Sequence, residues 1–298
     1  MITEKESRLS RLMLSVCCAG ALAAQAEVRH RFVCIDNAKD ARLIYVDQFN
    51  PSNSWTRPAS AASRSLQRVG DGCVLVGNDT GFTEVSLKSG EALVRVDGYR
   101  RICAVARRVD GSTWLAECSA SGIVIHCVGK DLRPAGLGRL IYPDASYLRV
   151  MQVLDNGHIL MAAGKPFRAV EVDAEQKVVW SAALGAFGDK GYKVCRLEDG
   201  TTMASVGNGV KVVLVDRAGR LLRFWGEPQK GAHPEWGLDF FSGFDRLENG
   251  HVVAANWLGH GKHGTGPHLV EFNSDNEVVW RWEDHTAARQ VTNVLILE

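Results

Sequence analysis

The segment Asn256-Trp-Leu-Gly-His-Gly-Lys-His-Gly-Thr-Gly-Pro-His268 sets three imidazoles, His260, His263 and His268, among four glycines. A backbone this pliable lets imidazoles converge, as a metal or an anion site requires. The segment holds no acidic residue and the HExxH spacing is missing, so no metal site is predicted. His285 follows shortly after, in Asp284-His-Thr-Ala-Ala-Arg289, and is the candidate general base if the protein is catalytic. Neutral imidazoles beside the Arg289 guanidinium make a site that prefers anions. That preference should strengthen as pH falls toward ~6.5 and the imidazoles gain charge. Trp257 could stack on a sugar face or pack within the core. Other chemistries lack their signatures. No strand–GxxxxGK[ST]–helix context supports a phosphate loop, and the GxSxG elbow of hydrolases is absent.

The elements that must carry these residues are strands. From about residue 30 onward, short apolar runs alternate with Gly, Asn and Asp turns, and helical periodicity is nearly absent. One turn recurs as Asp71-Gly72, Asp110-Gly111, Asn156-Gly157, Asp199-Gly200 and Asn249-Gly250, with Gly-to-Gly spacings of 39, 46, 43 and 50. These dipeptides tolerate the positive φ of tight hairpins, and the period is that of a propeller blade. Each unit reads as four antiparallel strands, a to d, with the turn joining a to b. The third strand recurs as Val-Glu-Val-Asp173, Val-Leu-Val-Asp216 and Val-Glu-Phe-Asn273, and the fourth ends on an aromatic residue at Trp180, Trp225 and Trp282. Val291–Leu297 looks like a strand a with no turn after it, and the N-terminal strand near Arg31–Asp36 looks like its strand b. The fold predicted is an all-β six-bladed β-propeller closed by that pairing, because an open ring leaves unpaired edges. The long segment at 128–148 keeps seven blades as the alternative.

Strand order sorts the loops. The Asp/Asn-Gly turns share one face, and the b–c and d–a loops share the other, where ligand sites gather. Asn256, Trp257, His260, His263, His268, His285 and Arg289 are therefore predicted on one face beside the channel mouth. Arg149, Lys193, Asp239, Arg289 and Gln290 stand near the starts of inner strands as further ligand contacts. Three of those are cationic, which favours an anionic or hydroxyl-rich ligand. Each could instead serve inter-blade hydrogen bonding. The recurring Arg68, Arg108, Arg196 and Arg246, and the matched Trp180 and Trp280, read as structural, since a residue needed in every blade serves the blade.

Composition bounds the rest. The chain has 298 residues, 46% hydrophobic, with Lys+Arg 35 against Asp+Glu 34. This balance argues against nucleic acid as the partner. Lys5, Arg8 and Arg11, the apolar run 12–24 and Ala24-Gln25-Ala26 predict a signal peptide over residues 1–26, leaving a single propeller domain over 27–298. The predicted location is secreted or periplasmic, with no later stretch apolar enough to span a membrane. Six Cys remain after cleavage. Cys118 and Cys127 could face each other across two consecutive strands, but the favoured reading is buried free thiols.

The units Asn156-Gly-His-Ile-Leu-Met…Val-Glu-Val-Asp…Lys-Val-Val-Trp180 and Asn249-Gly-His-Val-Val…Val-Glu-Phe-Asn…Glu-Val-Val-Trp280 resemble the repeats of secreted bacterial propellers, the quinoprotein-like and arylsulfotransferase-like groups. The resemblance covers 150–298 well and 30–150 loosely, and rests mainly on turn and core residues. An arylsulfotransferase-like relative implies a catalytic His near the start of an inner strand, and only His285 lies close to that place. The function predicted is an exported binding or scaffold propeller presenting this His, Arg and Trp face to a polar or anionic ligand, such as a glycan, or to a protein partner. The alternative is an extracytoplasmic hydrolase, lyase or transferase using His285 and the 256–268 loop. No cofactor is named by any motif.

Overall fold

The computed structural model describes residues 27–119, 122–136, 139–142 (backbone only) and 148–297; the predicted signal peptide lies outside them. β1 (Arg31–Asp36), β2 (Arg42–Asp47) and β3 (Trp55–Pro58) begin the first sheet. The second holds β4 (Leu66–Val69), β5 (Cys73–Asn78), β6 (Gly81–Ser86) and β7 (Ala92–Val96). The third holds β8 (Ile102–Arg107), β9 (Thr113–Ser119), β10 (Gly122–Val128) and β11 (Arg139–Tyr142). β12 (Met151–Val153), β13 (Ile159–Ala163), β14 (Arg168–Val172) and β15 (Val178–Ala183) make the fourth. β16 (Val194–Arg196), β17 (Thr202–Ser205), β18 (Lys211–Val215) and β19 (Leu221–Gly226) make the fifth. β20 (Phe241–Arg246), β21 (Val252–Asn256), β22 (Leu269–Phe272) and β23 (Val278–Trp282) make the sixth, and β24 (Val291–Ile296) returns to the first. Each sheet has four antiparallel strands in meander order, and together they form a six-bladed propeller. β11 supplies the fourth strand of the third blade, which settles the count at six rather than seven.

The recurring turns work as their residue types require. Gly72, Gly111, Gly157, Gly200 and Gly250 all sit at φ between 80° and 84°, a region costly for any residue with a Cβ. In four of the turns the preceding Asp or Asn side chain accepts the N–H two residues on, at Ser112, His158, Thr201 and His251.

Among the described residues, six large apolar clusters lie between neighbouring blades, not within one. The cluster joining blade 6 to blade 1 packs Phe32, Cys34 and Ile44 against Val253, Leu269, Trp280 and Trp282. Closure is also made in hydrogen bonds: β24 runs antiparallel to β1, with Phe32 opposite Ile296 and Cys34 opposite Val294. A repeated polar clasp crosses the seams. Strand-c glutamates Glu84, Glu171 and Glu271 pair with Arg107, Arg196 and His30 of the next blade. Glu271 is the most enclosed, with His30 Nε2 and His251 Nδ1 each donating to it at 2.6 Å. Burial alone would raise its pKa, but these two bonds outweigh burial and hold it below the ordinary carboxylate range.

The cysteines are not all free thiols, and Cys118 does not pair with Cys127. A disulfide joins Cys103 to Cys118, with Cα atoms 6.1 Å apart. Cys118 could not meet Cys127, because register sets Cys118 opposite Ile123 and Cys127 opposite Trp114. The partner comes from β8 instead, where the pairing with β9 slips between Ile102 and Ala104 and leaves Cys103 in the irregularity. Cys34, Cys73, Cys127 and Cys195 are free. Among the described residues no helix is long and apolar enough to cross a membrane.

Candidate functional site: the loop-face mouth of the channel

The 257–268 loop leaves β21 through Asn256, which is fully buried. Its Oδ1 accepts the N–H groups of Asp239 (2.8 Å) and Phe240 (3.3 Å). Its Nδ2 donates to the carbonyls of Gly237 (3.1 Å) and Pro267 (2.8 Å). The side chain therefore ties this b–c loop to the d–a connection before β20 and has no capacity left for a ligand. Trp257 follows. Its N–H donates to the Phe240 carbonyl at 2.8 Å, and its indole N–H to Asn37 Oδ1 at 3.2 Å. Gly259 lies flat on that indole, where a Cβ would come within 2.1 Å of the ring. His260 turns at φ 53° and meets the Trp257 ring edge-on at 4.7 Å between centroids.

Beside these residues a cavity of about 110 Å³ opens at the channel mouth. Arg64, Arg149 and Lys190 bring positive charge to its wall, and Tyr192, Phe240, Trp257 and His260 bring rings. Asn37, Gly191 and Thr292 complete the lining, and no carboxylate is among its described residues. At roughly 30 Å³ per water, the space holds three or four waters, or one acidic group with a little of its carrier. Guanidinium and ammonium groups converging on such a space favour carboxylate, sulfate or phosphate. Arg64, Arg149 and Tyr192 each stand two residues before an inner strand, β4, β12 and β16, so one repeat position supplies the wall. Arg64 is steadied by Nη1 bonds to the Ala61 and Ser63 carbonyls, at 2.7 and 2.9 Å.

Of the residues singled out in the sequence, Arg149, Trp257 and His260 line this cavity, and Asn256 supports it. The others are placed elsewhere. Lys193 donates to the Phe244 carbonyl of the next blade at 2.6 Å and borders a different hollow, on the side of the Asp/Asn-Gly turns. Asp239 pairs with Lys230 at 2.8 Å. His263 is exposed and sets Nδ1 3.4 Å from the Arg289 carbonyl and Nε2 3.2 Å from Gln290 Nε2. Arg289 is exposed, and its backbone N–H donates to Asp36 Oδ2 at 3.2 Å.

The 257–268 and 283–290 loops meet, as strand order requires. His268 is fully buried, its ring 4.8 Å from His285 and 5.5 Å from Trp282. Neither nitrogen of His268 makes a hydrogen bond of good geometry, though the Asp284 backbone acts on the ring, and His285 Nδ1 is likewise without a well-formed bond. His285 Nε2 lies 2.8 Å from Glu283 Oε1. Burial first, then the neighbouring His285, pushes the His268 imidazole below its ordinary value, with Asp36, the Asp284 backbone and Glu283 pulling the other way. No group of three or more His, Cys, Asp and Glu among the described residues is arranged to hold a metal ion.

Arg64, Lys190, Tyr192 and Phe240 were missed by sequence reasoning. The signal that could have found Arg64 is its equivalence to Arg149, each standing two residues before an inner strand.

Fold and mouth define a six-bladed propeller with a cation-walled loop face. No protein-family model and no curated protein matches the chain. Solved structures do. A protein of unknown function from Bacteroides caccae superposes with a TM-score of 0.71 at 19% identity, covering 91% of this chain and 100% of that one. A streptogramin B lyase does so at 0.53 and 10% identity, covering 88% of this chain and 87% of its own. A catalytically inactive virginiamycin B lyase from Staphylococcus aureus, with quinupristin, reaches 0.55 at 8% identity, covering 90% and 89%. At these identities the likeness is one of fold.

Proposed function

We propose that this is an exported propeller that binds the acidic group of a polar ligand, an acidic glycan by preference, at the loop-face cavity. The observation that carries the reading is the wall itself: Arg64, Arg149 and Lys190 converge with three aromatic side chains on one small space, and no carboxylate is among its described lining residues. The cations would hold the acid, and Trp257 with Tyr192 would contact the flat apolar face of a sugar ring. The rest of the ligand would lie across the loops. Export draws its support from the basic residues Lys5, Arg8 and Arg11, the apolar run and Ala24-Gln25-Ala26. The likeness of the repeats to secreted bacterial propellers supports it as well. The test is calorimetric titration with oligogalacturonate against a neutral galactan of equal length. The acidic sugar should bind, more weakly as salt rises, and the neutral one should not. A peptide or protein that binds this face while both sugars fail would move the reading to a protein partner.

A second reading, a lyase, hydrolase or transferase working through His285, draws on the exposed His285–Glu283 pair and on two similar solved propellers being lyases. Binding is preferred because the cavity is not lined by His285, and the imidazole beside it, His268, is fully buried.

A further inference from the structure

Three imidazoles stand where the 257–268 loop meets the 283–290 connection. His263 faces a carbonyl with Nδ1, so Nδ1 carries the proton and Nε2 accepts from the Gln290 amide. Protonating Nε2 would turn that acceptor into a second donor. His268 is fully buried with its ring 4.8 Å from His285, so a charge on His268 would be both desolvated and set against that neighbour. The same loop carries Trp257 and His260, which wall the cavity.

We propose that His268, buried against His285, forms an acid-sensitive latch: its neutral imidazole holds the 257–268 loop over the cavity, and protonation releases it. This rests on the binding reading above only in what the latch controls, which is retention of the bound anion at neutral pH and its release in acid.

The surrounding charges fit such a latch. His268 is faced by His285, the Asp284 backbone, Asp36, Glu283 and the Trp282 ring. Asp36 is already engaged: it accepts N–H groups from Ala38 (3.2 Å), Arg289 (3.2 Å) and Gln290 (2.9 Å), with Arg42 at 3.7 Å. Glu283 is taken by His285. His263, at the edge of the same contact, faces the Arg289 carbonyl with Nδ1 and the Gln290 amide with Nε2. The depressed pKa of His268 gives the sign. A closed state that resists protonation is fully favoured above the open-loop imidazole value of ~6.5, and loses its advantage as pH falls below it.

Amide hydrogen exchange on the ligand-free protein tests this at pH 7.5 and pH 5, with rates corrected for intrinsic exchange. Protection across 257–268 should fall roughly tenfold or more in acid, the change one pH unit of titration gives a single imidazole. His268→Phe, which keeps a ring beside Trp282, and His285→Gln should each blunt that fall. Equal protection at both pH values, or an equal fall in wild type and both variants, would overturn the latch. Oligogalacturonate titrated at both pH values reports separately. Exchange that responds to pH without any sugar binding would sink the ligand reading and leave the latch standing.

Discussion

Replacing Asn256 by Ala separates a structural role from a ligand-binding one. The side chain is fully buried and makes four hydrogen bonds to main-chain groups of two loops. Two of them, to Phe240 N–H and Pro267 C=O, are wholly buried, and the other two reach groups that water can partly satisfy. A buried polar group stripped of its partner costs about 1–3 kcal/mol, so the two buried groups alone cost about 2–6 kcal/mol. Aspartate is no rescue, because it loses both Nδ2 donors and buries a charge. Urea unfolding of wild type and Asn256→Ala, read by tryptophan fluorescence, gives the difference directly. The variant should lose about 4 kcal/mol, the middle of that range. A change below about 0.5 kcal/mol, the scale of a surface substitution, together with abolished sugar binding, would mean that Asn256 serves the ligand and that the bond count misleads.

Deleting residues 289–298 removes β24 and bares the β1 edge, so the whole ring should lose its cooperative melt; an unchanged melting curve would refute closure by that pairing. The His30–Glu271–His251 clasp should respond to acid. Since the folded pKa of Glu271 lies below its unfolded value of ~4.3, the clasp contributes in full above that value and is lost as pH falls through the folded one. Wild type should therefore lose more stability than Glu271→Gln between pH 5 and pH 3 in urea titrations. His30→Ala should cost about 3 kcal/mol at pH 7, the scale of breaking one side of a buried pair. Reducing the Cys103–Cys118 bond, which closes a loop of sequence separation 15, should cost about 3 kcal/mol in the same assay and leave Cys103→Ser unaffected.

The turns and strands were legible because their physics is local. A Gly at φ near 80° after Asp or Asn marks a hairpin wherever it stands, and five repetitions make a period. Ring closure was legible too, from a last strand that lacked its turn. His158 and His251 follow Asn-Gly turns and meet Glu171 and Glu271, so the repeat itself identifies them as blade residues. The disulfide was hidden by the slip in β8 against β9, which no periodicity announces. The site was half legible. Gly-rich spacing drew attention to Trp257 and His260. Arg64 and Tyr192 share the place of Arg149, each eight residues before a turn glycine, so alignment on the turns was the signal that went unused. That Lys193 reaches the next blade's carbonyl is a tertiary contact that no spacing announces.

The most direct test of the anion-binding mouth is charge reversal at Lys190, a wall cation whose side chain makes no ion pair among the described residues. Lys190→Glu, titrated calorimetrically with oligogalacturonate at low salt, should fold as wild type does and lose the acidic sugar, by at least roughly tenfold in Kd or about 1.4 kcal/mol. Affinity equal to that of wild type would contradict the account.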